Sequence, residues 1–530
     1  MGETDLGVRE MPPSASLPSH EASAGGGIVP DRRYVLIIGA GPAGLFAACE
    51  LARHGVVPRI VERRLVPHNQ ARATAIQPAG LELLARAGVL APFLEGSVHV
   101  RRTRFYGPGM VPLGTAEFSG IGCAHEYQCS LPQWQTEAIL TEHLAGFGIS
   151  VERGTTVLSI DEDADALEIR LRGPDGEVET ASFGYVLGAG GAHDVTRRAM
   201  QESLQGDTYA GQYIAADIHI GLPHEPEESM VFVSKEGFAL LAPLPGDHWL
   251  SFVDLDPDSP LADQRDTPEL GQVSALVNHR TGLNAGVTDL RWAAHFVMQK
   301  RMTRRLADGR CFLMGDAAHL SSPIGGEGLN SALMDAADVA WKLALVIRGA
   351  ALHTLLDSYA IERQIADRHV LDVSDMLHRR ALALAAPAPA SPPPPSDPAR
   401  VLALTRARAM LDVSYAGSPL VGEHFGSAAP PPGPAPGERF PDRIRLTGTH
   451  HHLLLFGAAP PPDSFLRRWR DLVSIAEEAD FDPDRSGAPR GGALLVRPDG
   501  FIGYRLAALD ESGIGALDAH LASYLAPARA

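Results

Sequence analysis

Three glycines and an acid near the start of the chain have the types and spacing of a dinucleotide site. In YVLIIGAGPAGLFAACELARHG, an apolar strand runs into Gly39, Gly41 and Gly44 and then into a helix rich in Ala and Leu. Glu62 ends the next apolar segment about 20 residues later, where an acid can bind an adenosine ribose. Gly39 permits the turn, Gly41 admits a pyrophosphate to the backbone, and Gly44 lets helix and strand pack. We predict dinucleotide binding, with Arg63 as a further contact; the motif does not distinguish FAD from NAD, and an ordinary turn is the alternative.

A second segment, RCFLMGDAAHLSSPIGGEGLNSALMDAADVAWKLA at residues 310–344, carries an acid at the end of a strand. Asp316 follows the strand, a loop of Pro and Gly comes next, and a long helix with an apolar face completes the unit. A carboxylate there can hold a ribityl hydroxyl, and glycines opening a helix can direct backbone N–H groups at an electron-rich ring. The segment favours a flavin; the alternative is a capped α/β unit without a ligand.

Length and composition limit what surrounds these motifs. The 530 residues are enough for two or three domains, and 45% hydrophobic with 21% charged residues is typical of a soluble globular protein. A net charge of −18 without a basic stripe argues against nucleic acid and anionic membranes as partners. Four scattered cysteines and no CxxC pair favour a reducing compartment, and we expect the cytoplasm and no metal site. The first thirty residues have no apolar run and predict a disordered arm.

Together the two segments resemble the class A flavoprotein monooxygenases, the group of para-hydroxybenzoate hydroxylase, and more closely its larger aromatic polyketide hydroxylases. The resemblance extends from about residue 33 over nearly the whole chain. It implies that Asp316 binds the ribityl chain of FAD and that Gly328, Leu329 and Asn330 present main chain to the flavin pyrimidine edge. It also implies that the backbone of Pro323 lies beside the ring, where substrate and oxygen meet.

Three further segments fit the same family. Arg72, in NQARATAIQPAGLELL, resembles the family's arginine near the FAD pyrophosphate, and Gln133, in LPQWQTEAIL, resembles a glutamine that contacts the cofactor from the start of a helix. SYAIER matches a Tyr-x-x-Glu-Arg motif, in which we expect Glu362 and Arg363 to form a supporting ion pair. These residues complete the expected FAD site.

Two positions depart from the family pattern. In VLGAGGAHDVTR, Gly190 stands where the family has an Asp associated with FAD and nicotinamide, and Asp194 stands where it has a Ser. Either Asp194 or a neighbour takes over part of the hydrogen bonding, which we favour, or productive use of the nicotinamide is weakened. Glu327, in GGEGLN, replaces the Gln, Phe or Lys of relatives; near the flavin its carboxylate would disfavour an anionic reduced ring, but it can equally face solvent.

The predicted fold is α/β: a Rossmann-like FAD-binding domain with an inserted β-sheet substrate domain and a thioredoxin-like C-terminal domain. The boundaries are 1–30 for the disordered arm, 31–183 for the first FAD-binding part with a hairpin, 184–205 for a second FAD-binding segment, 206–300 for the substrate sheet, 301–384 for the last FAD-binding part and long helix, 385–436 for a Pro-rich linker, and 437–530 for the C-terminal domain. The candidate substrate-lining residues are Phe232, Phe238, Leu240 and Trp249.

The resemblance implies an FAD-dependent monooxygenase that uses NADPH or NADH and O2 to hydroxylate an aromatic, polyketide-like phenol through a flavin C4a-hydroperoxide, as in antibiotic biosynthesis. Such an enzyme needs no amino-acid nucleophile, because the cofactor carries the difficult chemistry. Two alternatives remain: a Baeyer-Villiger or oxidative-rearrangement flavoenzyme, and a flavin-binding partner subunit with weak turnover. The chain is expected to act as a monomer or a homo-oligomer.

Overall fold

The computed structural model describes most of the chain from Val35 onward. The described ranges are 35–107, 110–163, 166–221, 227–234, 237–256, 258–262, 266–384, 397–426, 430, 433–441, 443–477, 481, 486 and 490–527. The predicted N-terminal arm, residues 1–30, lies outside them. Strands are numbered β1–β25 and helices α1–α11 in chain order.

A six-stranded, mainly parallel sheet forms the centre of the FAD-binding part, in the order β18-β19-β12-β1-β2-β8. Its strands, in that order, are Ala307–Asp308, Cys311–Leu313, Tyr185–Gly188, Val35–Ile38, Arg59–Glu62 and Val151–Arg153. The three central strands are apolar throughout and buried on both faces, as expected for a parallel sheet covered by helices. This confirms the α/β class.

Eleven α-helices occur in the described residues, and α1 and α7 pack together in the main core beside this sheet. In chain order they are Pro42–Arg53, Pro78–Arg86, Leu90–Gly96, Gln133–Gly146, Val195–Ala199, Leu270–Thr281, Gly328–Ile347, Asp357–Leu384, Pro398–Arg408, Asp463–Trp469 and Glu511–Ala522. None of them combines the length and the apolar character needed to span a membrane.

An eight-stranded sheet forms the second layer, in the order β20-β17-β13-β16-β15-β14-β5-β6. Its strands, in that order, are His319–Leu320, Gly286–Met302, Gln205–Gly221, His248–Asp254, Gly237–Leu244, Glu228–Ser234, Arg102–Gly107 and Val111–Glu117. Helix α6 covers one face of it. The sheet therefore recruits strands from outside 206–300, because β5 pairs with β14 although the two are distant in sequence.

Two three-stranded sheets flank the FAD-binding part. One has the order β3-β7-β4 (Ala75–Ile76, Gln128–Ser130, Val98–Val100) and the other β11-β10-β9 (Val178–Phe183, Leu167–Arg172, Thr156–Glu162). The second contains the predicted hairpin: β10 and β11 pair antiparallel across a turn in which Gly176 has φ +89°. The PDG turn was thus predicted correctly.

The C-terminal part is a five-stranded mixed sheet in the order β21-β25-β24-β22-β23. Its strands, in that order, are Gly422–His424, Ile502–Leu506, Gly492–Val496, His451–Phe456 and Val473–Glu477. A parallel pair joined by α10 is followed by an antiparallel hairpin and α11. This arrangement is compatible with a thioredoxin-like domain, which stays a prediction.

The predicted linker is not all connector. Residues 385–396 lie outside the described ranges, but α9 begins immediately afterwards, where the Asp397 side chain accepts a hydrogen bond from Ala399 N (3.0 Å) and Pro398 occupies the first turn. The chain that follows packs Met410 and Tyr415 into the main core. The sequence prediction weighed the Pro-rich tracts and overlooked the capped helix between them.

Candidate cofactor and substrate site

The turns that carry the sequence motifs meet at one edge of the parallel sheet. Strands β1, β12 and β19 are parallel neighbours, so the turns that follow Ile38, Gly188 and Leu313 leave the sheet side by side. Ala189 N donates to Ile38 O, and Met314 N donates to Gly188 O, both at 2.9 Å. Ligands of open α/β sheets bind at this carboxyl edge.

The three glycines of the first turn have separate structural reasons. Gly39 has φ +106°, and a Cβ there would lie 2.4 Å from Ala189 O. A Cβ on Gly44 would lie 2.0 Å from Gly39 O, so helix and strand can approach only with glycine present. At Gly41 nothing lies within 4 Å of an added Cβ. Gly39 and Gly44 are required by the packing of the protein itself, whereas Gly41 leaves the backbone open to a ligand.

Glu62 stands at the end of β2, as predicted, and supports the glycine turn. Its Oε2 accepts a hydrogen bond from Ala40 N and its Oε1 one from Arg64 N, both at 3.0 Å. Each oxygen keeps a second acceptor site. The neighbouring Arg63 is exposed. These contacts fix the acid at the sheet edge with capacity left for a hydroxyl group.

Asp316 is the exposed residue of the otherwise buried turn Gly315–Ala317. Although its side chain reaches solvent, desolvation by neighbouring protein atoms raises its pKa, while the charges of His319 and Arg72 act in the opposite direction. Arg72 is itself exposed and donates to Gln70 Oε1 (2.7 Å). The predicted pyrophosphate and ribityl residues therefore lie within electrostatic reach of each other.

Gln133 begins α4, as predicted, and its amide is held by residues that sequence reasoning missed. Its Nε2 donates to Glu137 Oε1 (2.9 Å), and His68 Nε2 lies 3.1 Å from the same carboxylate. The charge of Glu137 also acts on Arg72. The spacing of Gln133 and Glu137, one helical turn apart, was the available signal.

Helix α7 begins at the loop that is expected to face the flavin. The N–H groups of Gly328, Leu329 and Asn330 are in its first turn and have no intrahelical acceptors. The Asn330 side chain is fully used by the protein: Oδ1 accepts from Gln77 N (2.8 Å), and Nδ2 donates to Ala75 O (3.0 Å) and Gly326 O (2.9 Å). This leaves the main chain, rather than this side chain, to meet a ligand.

The loop before α7 contains a tight turn in which Gly326 N donates to Pro323 O (3.1 Å). The preceding Ser322 is tied to α8 because its carbonyl accepts from Ser374 Oγ (2.9 Å) and its Oγ lies 3.2 Å from His378 Nδ1. The backbone of Pro323 is therefore held from two sides.

A buried ion network supports the turn at Asp316. Asp335 accepts from Gly315 N (2.8 Å), His319 Nε2 (2.8 Å) and Arg363 Nε (2.7 Å). Burial opposes its ionisation, but the charges of Arg363 and His319 hold the pKa of Asp335 below its usual value. Burial likewise opposes protonation of His319, but Asp367 and Asp335 raise its pKa to about 9.

The predicted ion pair of Glu362 with Arg363 is wrong. Arg363 pairs with Asp335 and Asp367, whereas Glu362 pairs with Lys342 and with Arg497 of the C-terminal part. Adjacent residues of a helix point about 100° apart, so they reach different partners. Glu362 thus joins two parts of the chain instead of supporting Arg363.

The eight-stranded sheet separates the four candidate substrate residues. Phe238 and Leu240 lie on the face with Tyr213 and Phe252. Phe232 and Trp249 belong to the cluster beneath α6, and their selection as lining residues does not fit this placement. Side chains alternate between the two faces of a strand, and the sequence did not say which face of each strand turns to α6.

The face with Phe238 also meets the loop before α7. Tyr213 stacks on Phe252 with ring centroids 5.2 Å apart, and Ile324, which follows Pro323, packs against this cluster. The sequence analysis did not select Tyr213 and Phe252, although their neighbours along each strand point to the α6 face. The aromatic wall, formed by the rings of Tyr213, Phe238 and Phe252, therefore lies beside the loop that carries Pro323.

Asp194 orders the turn of VLGAGGAHDVTR, the segment that departs from the family pattern. Its Oδ2 accepts from Gly190 N (2.6 Å) and its Oδ1 from Arg197 N (3.2 Å), which caps α5. Arg197 Nη1 reaches Ala317 O (2.9 Å) and links this turn to that of Asp316. His193 is exposed while Asp194 is buried, so these adjacent side chains lie in different surroundings.

Comparison with known proteins gives consistent results. The FAD binding domain family matches residues 32–374. The chain is 31% identical to 12-dehydrotetracycline 5-monooxygenase/anhydrotetracycline 6-monooxygenase of Streptomyces rimosus subsp. rimosus over 93% of this chain and 99% of that protein. The solved aklavinone-11 hydroxylase in complex with FAD and aklavinone is 25% identical with a TM-score of 0.75, covering 92% of this chain and 98% of that one. The anhydrotetracycline hydroxylase OxyS from Streptomyces rimosus is 27% identical with a TM-score of 0.72, covering 93% and 99%.

Proposed function

This chain belongs to the FAD binding domain family, and from that premise we propose that it is an FAD-dependent monooxygenase that hydroxylates a phenolic ring of an aromatic, polyketide-like substrate. One observation carries the proposal. The turns after Ile38, Gly188 and Leu313 share the carboxyl edge of the parallel sheet, and Ile324, in the loop downstream of the third turn, packs against the aromatic face around Phe238. The loop at Pro323 therefore links the candidate cofactor site to an apolar face suited to an aromatic substrate.

The residues present fit FAD. Gly41 leaves open backbone for a pyrophosphate, Glu62 keeps acceptor capacity for a ribose hydroxyl, and the exposed Asp316 offers a carboxylate to the ribityl chain. The first amides of α7, helped by the partial positive charge of a helix N-terminus, suit the flavin pyrimidine edge. Bound FAD supplies the two-electron chemistry and the reaction with O2.

The chain's own contribution is to orient the substrate and exclude water. The face around Phe238, Tyr213 and Phe252 is apolar and almost fully buried. Apolar rings pack against such a wall in offset or edge-on geometry, and the wall restricts access of water to the reacting ring. The loop at Pro323, whose backbone is held from two sides, borders the same apolar face. NADPH or NADH is proposed as the reductant, and the polyketide character of the substrate is inferred from the named relatives.

The experiment begins with the purified protein, which should show a flavin spectrum. It should then consume NADPH or NADH and O2 in the presence of phenolic polyketides, for which anhydrotetracycline and aklavinone are suitable first probes. Mass spectrometry with isotopically labelled O2 should find one oxygen atom from O2 in a ring hydroxyl. Oxygen inserted beside a ketone would favour the Baeyer-Villiger alternative, and reductant consumption that never depends on an aromatic compound would refute the proposal.

Phe238→Ala and Phe232→Ala form a matched pair, because both rings are buried on neighbouring strands but face opposite ways. Phe238→Ala should lower kcat/KM of the folded enzyme roughly tenfold, by loss of ring contact worth about 1.5 kcal/mol, in addition to a stability loss of about 3 kcal/mol that both equally buried rings share. Phe232→Ala should act on stability, with a loss of about 3 kcal/mol, and leave kcat/KM of the folded enzyme near the original value. Equal kinetic effects would show that the substrate does not lie on the Phe238 face.

A further inference from the structure

Glu327 is a fully buried acid that no other described residue pairs with. Its exposure is 0%, and within the described ranges neither carboxylate oxygen has a hydrogen-bond partner on another residue. The side chain fits only because Gly325 has no Cβ, since an added Cβ there would lie 1.8 Å from Glu327 Oε1. A buried ionised carboxylate without partners is costly, so a retained one needs a reason. The solvent-facing alternative considered from the sequence is wrong.

The surroundings of Glu327 are polar but nearly neutral. Gln77 Nε2 donates to Gly325 O (2.9 Å) and Gln128 Oε1 (3.2 Å), and Arg408 Nη2 donates to the same Gln128 oxygen (3.3 Å). Among the described residues, Arg408 of α9 is the charged group that acts on Glu327. It makes no ion pair with Glu327, and the glutamines from the start of α2 and from β7 carry no charge.

This setting allows Glu327 to exist in two protonation states near neutrality. Burial raises its pKa to about 7, and its own backbone N–H and the charge of Arg408 oppose the shift only in part. A negative charge placed nearby would raise that pKa further and make the acid bind a proton. Glu327 directly precedes Gly328, Leu329 and Asn330, the residues proposed to present main chain to the flavin.

We propose that Glu327 is a proton-binding positioning residue, which takes up one proton from solvent when the bound flavin accepts two electrons and returns it when the flavin is reoxidised. The electrons come from the nicotinamide reductant, and the proton on the carboxylate is additional to any proton bound by the flavin. The inference rests on the proposed function, because it requires FAD at this loop. Its consequence is that pH sets the driving force for flavin reduction.

The test is the midpoint potential of the bound flavin between pH 5.5 and 8.5. Each proton bound with two electrons changes the potential by about 30 mV per pH unit, because one pH unit is a tenfold change in proton concentration. In the original protein the slope should be about 30 mV per unit below pH 7, where Glu327 is protonated in both states. It should rise to about 60 mV per unit above pH 7. Proton binding to the reduced ring itself would steepen the low-pH side instead.

Three variants sharpen the result. Glu327→Gln keeps the shape but cannot ionise, so the break near pH 7 should vanish and the potential above it should rise. Glu168→Gln removes one exposed carboxylate on β10 and should leave the break in place. Arg408→Gln removes the opposing positive charge and should move the break to higher pH.

The outcomes are distinguishable. A bound flavin whose slope has no break in the original protein, or whose break survives in Glu327→Gln, overturns this inference and leaves the proposed function intact. A protein that neither contains nor binds FAD overturns both.

Discussion

Substitutions at positions 190 and 194 test a relocation argument: that Asp194 takes the place of the acid that the family carries at the position of Gly190. The Gly190 backbone has φ −78° and ψ 10°, which any residue can adopt, so the backbone does not exclude a side chain. The obstacle is Asp194, because a Cβ on Gly190 would lie 2.6 Å from Asp194 Oδ2. Gly190→Asp alone therefore forces two carboxyl groups into one buried space.

The structure gives a magnitude for each change. Gly190→Asp combines overpacking, about 1–3 kcal/mol, with repulsion between like charges, for a loss of roughly 3 kcal/mol or more. Asp194→Ser keeps a residue that can cap α5 but leaves the Gly190 N–H without its charged acceptor, at about 2 kcal/mol. The double variant removes the collision and should lose no more than about 2 kcal/mol.

The assay is a double-mutant cycle on four proteins, with the free energy of unfolding and the flavin content of each measured side by side. The coupling between the two positions should favour the double variant by about 3 kcal/mol, at the upper end for residues in contact. Asp194→Asn serves as a control, because it keeps the shape and one acceptor while removing the charge. If Gly190→Asp is as stable as the original, or if the two losses simply add, the relocation argument is refuted.

Three other predictions follow from single contacts. Gly41→Ala should lower FAD affinity tenfold or more while changing apoprotein stability by no more than about 1 kcal/mol, because nothing lies within 4 Å of the added Cβ and only the N-cap preference of α1 is lost. Flavin fluorescence titration and apoprotein unfolding check this, and unchanged affinity would contradict it. Arg497→Met should cost about 3–5 kcal/mol in denaturant unfolding, because it leaves Glu362 buried beside one cation fewer; a loss below 1 kcal/mol would contradict this. The pKa of His319 is raised from 6.5 to about 9 in the fold, so its contribution to the free energy of unfolding is complete below pH 6.5 and should be lost as pH rises through 9. The loss should be about 3 kcal/mol relative to His319→Asn, measured by unfolding at a series of pH values. Parallel curves of unfolding free energy against pH for the two proteins would contradict this.

Much of the cofactor side was predictable from the sequence because its requirements are local. Gly39 and Gly44 are needed where main chain meets main chain, Glu62 ends its strand, and Asp316 follows its strand, so spacing along the chain encodes each feature. The PDG hairpin was predicted for the same reason, since turn chemistry is a property of adjacent residues.

The partners of charged side chains were not predictable in this way. The acid and arginine of SYAIER were expected to pair because the segment matches the family's Tyr-x-x-Glu-Arg motif, yet Glu362 contacts Arg497 from the far end of the chain. Likewise α9 was hidden between Pro-rich tracts, and its Arg408 acts on Glu327 across the core. Such contacts depend on packing between distant segments.

The sequence by itself determined the family, the α/β class and the glycine turns of the proposed FAD site, because these depend on residue types at short, fixed spacing. Only the tertiary structure decided which strand faces turn toward Pro323, so that Phe238 lies on the aromatic wall and Phe232 beneath α6. It also decided that Glu327 is buried and that no other residue of the described ranges pairs with it. The physical reason is that alternation along a strand defines two faces but does not label them, and burial of a loop side chain depends on what packs above it.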